Sequence, residues 1–176
     1  MALNIGENLP GFELPATDGR EYDHKSIKGD KATVVMFWCN HCPYVVPNQD
    51  RIIEMQDEYR DKGVNFAAVC VNNDVTHPSD SFENMKIRAK EKGYNFPYLH
   101  DESQKIAVEF GAERTPEVFL FDGKAKLVYH GRIDDSHEDI TLARSHDLRN
   151  AIDAVLSGET PSVQKTGAVG CSIKWK

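Results

Sequence analysis

Cys39-Asn40-His41-Cys42 is the chemically most telling segment of the chain. Two cysteines two residues apart can close a small disulfide ring. Reduced, the same pair can attack another disulfide, because the displacing thiolate has a resolving partner at hand. The motif directly follows the apolar run Ala32-Thr33-Val34-Val35-Met36-Phe37-Trp38 and opens a helix-like stretch. A helix N-terminus beneath the first sulfur favours negative charge, so Cys39 is expected to ionise more readily than a free thiol. That makes Cys39 the expected exposed nucleophile and Cys42 the sulfur that resolves the mixed disulfide. His41 adds a possible cationic neighbour. The competing readings are a structural Cys-x-x-Cys or half of a metal site.

The elements that must position this pair can be read around it. Phe12 to Tyr22 reads as a hairpin turning at Asp18-Gly19. Lys31 to Trp38 reads as a buried strand. A helix is expected to run on to about Lys62, kinked by Pro47 near its first turns. Val64 to Val71 reads as a second buried strand. Pro78 to Lys92 reads as a helix, with Asp80 and Glu83 spaced like a capping box. A short strand at Phe96 to Leu99 and a short helix at Ser103 to Phe110 follow. Val118 to Phe121 and Leu127 to His130 form a hairpin around Asp122-Gly123, and Ser145 to Leu156 is the last helix. The order implies an α/β domain over residues 1–158, with a mixed central sheet flanked by helices and an N-terminal β-hairpin extension. Residues 159–176 turn polar and lose periodicity, which reads as a tail.

Composition narrows the class of function. Apolar residues make up 40% of the 176 and charged residues 28%, within the range of a soluble globular protein. A formal charge of −7 argues against non-specific nucleic-acid binding and against docking on anionic lipid. No membrane-span-length stretch and no secretory leader are visible, so a cytoplasmic setting is expected. Of the four cysteines only one pair is close in sequence, whereas zinc ribbons usually bring two such pairs.

Cys-x-x-Cys at the end of a strand within a βαβ pattern resembles the thioredoxin superfamily. Pro47 lies five residues after Cys42, where thioredoxins carry a helix-kinking proline. Thr115-Pro116 precedes an apolar strand, where the superfamily carries its cis-proline, and Gly131 follows the last strand. Leu9 through Lys31, with its Leu-Pro-x-Phe and Asp-Gly, resembles the redoxin branch, which includes peroxiredoxin-like proteins and extracytoplasmic thiol reductases. Cys39 to Val45 and Gly170 to Lys176 are similar to a subgroup of bacterial thioredoxin-like proteins.

The resemblance implies a thioredoxin-like fold and a thiol-disulfide oxidoreductase. Its partners would be disulfide-containing proteins or small molecules and an external thiol reductant. It implies no bound cofactor, no metal, no nucleic acid and no membrane. Pro116 in the cis form would set its backbone against the two sulfurs, and Thr115 would offer main-chain groups to an extended peptide. Glu117 is read either as an acid-base group replacing the carboxylate missing from the strand before the motif, or as a surface glutamate. Trp38 is read as a shelf beside the motif or as plain core. His41 stands where protein disulfide isomerases and periplasmic disulfide oxidants have an imidazole that stabilises a thiolate; a solvent-facing histidine is the alternative. Asn40 is read as a local hydrogen-bonding residue. Arg132, Asp134 and Asp135 are read as a solvated loop or as selectors of partner charge. Cys70 reads as core. Cys171, in the tail with Trp175 nearby, reads as a third redox cysteine or a loose thiol.

Two rivals remain. A peroxiredoxin-like thiol peroxidase fits the redoxin-like N-terminus. However, the peroxidatic signature has a threonine three residues before the reactive cysteine, and here Met36 precedes Cys39 and Cys39 precedes Cys42 at that spacing. A non-enzymatic copper- or zinc-binding protein would use Cys39, Cys42 and a histidine.

Overall fold

The computed structural model describes residues 2–176. A short antiparallel hairpin comes first, β1 (Glu13–Pro15) and β2 (Glu21–Asp23). The central sheet has the order β5-β4-β3-β7-β8. Strands β3 (Ala32–Phe37), β4 (Val64–Cys70) and β5 (Tyr98–His100) run parallel, while β7 (Glu117–Asp122) and β8 (Leu127–Gly131) are antiparallel additions. The helices are α1 (Gln49–Arg60), α2 (Phe82–Lys92), α3 (Lys105–Phe110) and α4 (Asp147–Leu156). Among the described residues, no helix is long and apolar enough to cross a membrane.

β3 lies at the centre and is buried along its whole length. Its side chains alternate between two cores, as a strand covered on both faces requires. Val34, Met36 and Trp38 join Ile52, Met55, Tyr59, Leu148 and Ile152 on one face. Val35 and Phe37 join Val69, Phe110, Phe119 and Phe121 on the other. Cys39 and Cys42 belong to the first of these cores.

Register carries the motif to its partner loop. Phe37 pairs with Glu117 at the end of the antiparallel β3–β7 ladder. Continuing that register by two residues sets Cys39 opposite Thr115. The Thr115–Pro116 peptide is cis.

Two expectations need correction. The helix after the motif does not start at Cys39. Residues 43–45 form a turn, Val46–Asn48 form a 3-10 segment containing Pro47, and α1 begins at Gln49. Proline has no N–H to donate to a preceding α-turn, so the chain tightens there. The other concerns the tail, which is not loose. Residues 164–166 run along β8, with His130 N–H donating to the Gln164 carbonyl and Thr166 N–H to the His130 carbonyl. The chain then forms β9 (Cys171–Ser172) against β6 (Arg114–Thr115), pairing Thr115 with Cys171. The tail thereby covers the otherwise open β8 edge. Its apolar anchor is buried Ile173, while Trp175 remains exposed.

Candidate active site

The sulfurs converge on one residue. Cys39 Sγ lies 3.4 Å from Thr115 Oγ1, and Cys42 Sγ lies 3.4 Å from the Thr115 carbonyl oxygen. Cys171 Sγ lies 2.6 Å from Cys42 Sγ. Both motif cysteines are covered, Cys39 at 3% exposure and Cys42 at 7%, and Cys171 is the outermost of the three. Cys39 is therefore not the exposed sulfur that the motif alone led us to expect.

The surroundings push the three thiols in different directions. Cys42 opens the turn that leads into the 3-10 segment: its carbonyl accepts from Val45 and Val46 N–H. Its sulfur sits between the other two. A hydrogen bond with Cys39 is the main force holding the Cys42 thiol well below the ordinary range; Cys171 and the Tyr44 N–H add to it, against the cost of burial. Cys39 is pushed up by the same hydrogen bond, by burial and by the nearby Asp80 carboxylate. Cys171 is pushed up to about 11 by its own desolvation and by Cys42. Proton loss thus belongs to the cluster as a whole, with the push downward falling on Cys42 and the push upward on Cys39 and Cys171. Pro43, directly after Cys42, was the sequence signal for this arrangement, since proline favours the first helical position.

Asp80 lies beside the site, although its spacing to Glu83 reads as a helix cap. It does not cap a helix. Ser81 does, its hydroxyl accepting from Asn84 N–H, and Asp80 ends a separate 3-10 turn, Pro78–Asp80. The Asp80 carboxylate is buried: Oδ1 accepts from Asn40 N–H at 2.8 Å and Oδ2 from Asn72 Nδ2 at 2.9 Å. Asn72 Oδ1 in turn accepts from Lys174 N–H, which ties the motif loop to the tail. This carboxylate comes from the loop after β4 rather than from β3, so no scan of the strand before the motif would find it.

The supporting residues divide by what they touch. Asn40 is fully buried; besides the Asp80 bond it donates to the Ser79 carbonyl and accepts from Tyr98 Oη, which pins the loop. Trp38 is also fully buried and donates to Tyr94 Oη, so it is core and not a partner-facing shelf. His41 is exposed and its Nδ1 meets Arg88 Nη2 at 2.8 Å, a contact directed at a cation rather than at a sulfur. Glu117 is buried, not a surface residue. Its Oε1 accepts from Glu113 and Arg114 N–H, and its Oε2 pairs with His130 Nε2. Oε1 thereby holds the loop ahead of the cis-proline, and Oε2 ties it to β8. Glu117→Ala would leave those part-buried donors without their acceptor, at about 1 kcal/mol each. The expected result is a lower melting temperature and lost exchange protection at the Glu113 and Arg114 amides, with Glu117→Gln much milder.

Arg132, Asp134 and Asp135 are used internally. Arg132 pairs with Asp147, Asp134 with Arg51, and Asp135 accepts from Arg144 and Ser145 N–H. Cys70 is fully buried, and desolvation lifts its thiol to about 12. Among the described residues, no group of three or more His, Cys, Asp or Glu side chains is placed to hold a metal ion.

A mixed sheet carrying two cysteines beyond its central strand, set against a cis-proline loop, defines the thioredoxin-like class. Within it, the chain belongs to the Redoxin family, whose model matches residues 4–151. A thiol-disulfide oxidoreductase ResA of Bacillus anthracis is 27% identical over 126 residues, covering 72% of this chain and 68% of that one. Peroxiredoxin Bcp of Escherichia coli is 22% identical over 152 residues, covering 83% and 92%. The crystal structure of a conserved protein from Geobacillus kaustophilus superposes with a TM-score of 0.93 at 40% identity, covering 98% of this chain and 93% of that one.

Proposed function

We propose that the protein is a thiol-disulfide oxidoreductase in which Cys39 and Cys42 form the redox pair. The observation that carries this reading is the convergence of both sulfurs on Thr115, and the downward push on the Cys42 thiol supports its attacking first. The order of attack is the reverse of the one expected from the motif. The Cys42 thiolate attacks one sulfur of a client disulfide, and the client's other sulfur leaves as a thiolate and takes up a proton. Cys39 then loses its proton and attacks Cys42, releasing the second client thiol and closing Cys39–Cys42. An external thiol reductant returns two electrons. Clients are proteins or small molecules containing a disulfide. In a reducing compartment such as the cytoplasm, net flow runs toward client reduction.

Trapping tests this order. With Cys39→Ser and Cys171→Ser combined, mixed disulfides with clients should accumulate on Cys42, and Cys42→Ser should accumulate none. Clients held on Cys39 in Cys42→Ser would reverse the order, and no trapped client in any variant, with insulin reduction unchanged, would overturn the reading.

One observation favours a second reading, a thiol peroxidase. Cys39, three residues before Cys42 where the peroxidatic signature has a threonine, lies with it against Thr115. Peroxide consumption faster than insulin reduction would select it.

A further inference from the structure

The docked tail brings a third sulfur to the redox pair. β9 adds to β6 in the segment directly before the cis-proline, with Cys171 opposite Thr115 and its sulfur against Cys42. This is the strand-addition geometry by which an extended peptide is recognised, pairing main chain to main chain and aiming alternate side chains into the site. Here the chain supplies that peptide itself.

The tail is built to lie there. A Cβ on Gly170 would overlap the Thr115 carbonyl, and one on Gly131, at φ +153°, would overlap Thr166, so both glycines permit close approach. Ile173 N–H donates to the Glu113 carbonyl, and its side chain is buried in the second core. The Lys174 carbonyl accepts from Asn73 N–H and Gln104 Nε2. The Arg114 guanidinium donates to the Gly170 carbonyl. These contacts hold Cys171 within reach of Cys42, where a bonded pair of sulfurs would be about 2.05 Å apart.

Building on the dithiol reading above, we propose that Cys171 is a third redox cysteine that exchanges with the pair, moving the disulfide from Cys39–Cys42 to Cys42–Cys171. The Cys171 thiolate attacks Cys42 Sγ of the oxidised pair. The Cys42–Cys171 bond forms, the Cys39–Cys42 bond breaks, and Cys39 leaves as a thiolate that takes the proton Cys171 gave up. Two electrons are redistributed within the chain, and no outside oxidant or reductant is consumed. Cys42 is the common member of both disulfides because it is the central sulfur. In the exchanged state the tail is bonded over the site that a client strand would occupy.

Disulfide mapping on the full chain tests this. The protein is equilibrated with glutathione disulfide, quenched in acid, alkylated, digested and analysed for linked peptides. Wild type is expected to show both linkages, with Cys42–Cys171 at no less than about a tenth of Cys39–Cys42, a tenfold ratio being worth about 30 mV. Cys39→Ser and Cys39→Ala should show only Cys42–Cys171, and Cys171→Ser only Cys39–Cys42. Finding Cys39–Cys42 in wild type, with no Cys42–Cys171 in wild type or either Cys39 variant, overturns the exchange and leaves the dithiol reading standing. Absence of Cys39–Cys42 from both wild type and Cys171→Ser overturns the dithiol reading and the exchange built on it.

Discussion

Cys42→Ala is expected to lower disulfide-reductase turnover by on the order of 10³-fold or more, the scale seen when a nucleophile is removed. The same substitution should erase the early-ionising thiolate from an ultraviolet pH titration of the reduced protein. Cys39→Ala should leave a thiolate that forms later, nearer the ordinary thiol value of about 8.5, because the hydrogen bond from Cys39 is the main force holding Cys42 down. Stability should follow with a defined sign. Folding depresses the Cys42 thiol, so between that depressed value and about 8.5 the unfolded chain binds more protons than the native one. The stabilisation is complete above that window and drains away as pH falls through it. Cys39 and Cys171 are raised, so their contribution is complete below about 8.5 and is lost as pH rises past it. The reduced wild type should therefore gain melting temperature relative to Cys42→Ala as pH rises through the neutral range. A wild type and Cys42→Ala that differ by a constant amount at every pH would place the charge elsewhere.

Asp80→Ala should be the most damaging substitution outside the sulfurs. It strips the acceptor from two buried donors, Asn40 N–H and Asn72 Nδ2, at about 1–3 kcal/mol each. At about 2–4 °C per kcal/mol for a chain of this size, the melting temperature should fall by about 5–20 °C. Asp80→Asn separates architecture from charge. It keeps one acceptor and the shape while removing the negative charge that opposes Cys39 ionisation. Its Cys39 thiol should become more acidic, and the pH profile of insulin reduction should move to lower pH. An unmoved profile in a well-folded Asp80→Asn would show that Asp80 only supports the loop.

The sheet, the dithiol and the proline loop are legible in the amino-acid sequence. Those features are local or periodic. A continuous apolar run marks β3, two cysteines at fixed spacing mark the dithiol, and a threonine-proline before an apolar strand marks the cis peptide. The grouping of the three sulfurs and their cover come from long-range packing: Cys42 is influenced by Cys39 and the Tyr44 N–H beside it and by Cys171 from the docked tail, and burial of Cys39 depends on what lies over it. Asp80 looked like a helix cap because its spacing to Glu83 fits one; its inward orientation follows from partners at Asn40 and Asn72. The tail carries no periodic pattern, since it is held by backbone bonds to β6 and β8, two glycine clearances and one buried isoleucine. Backbone pairing is nearly blind to side-chain identity, so strand addition of this kind leaves almost no trace in composition.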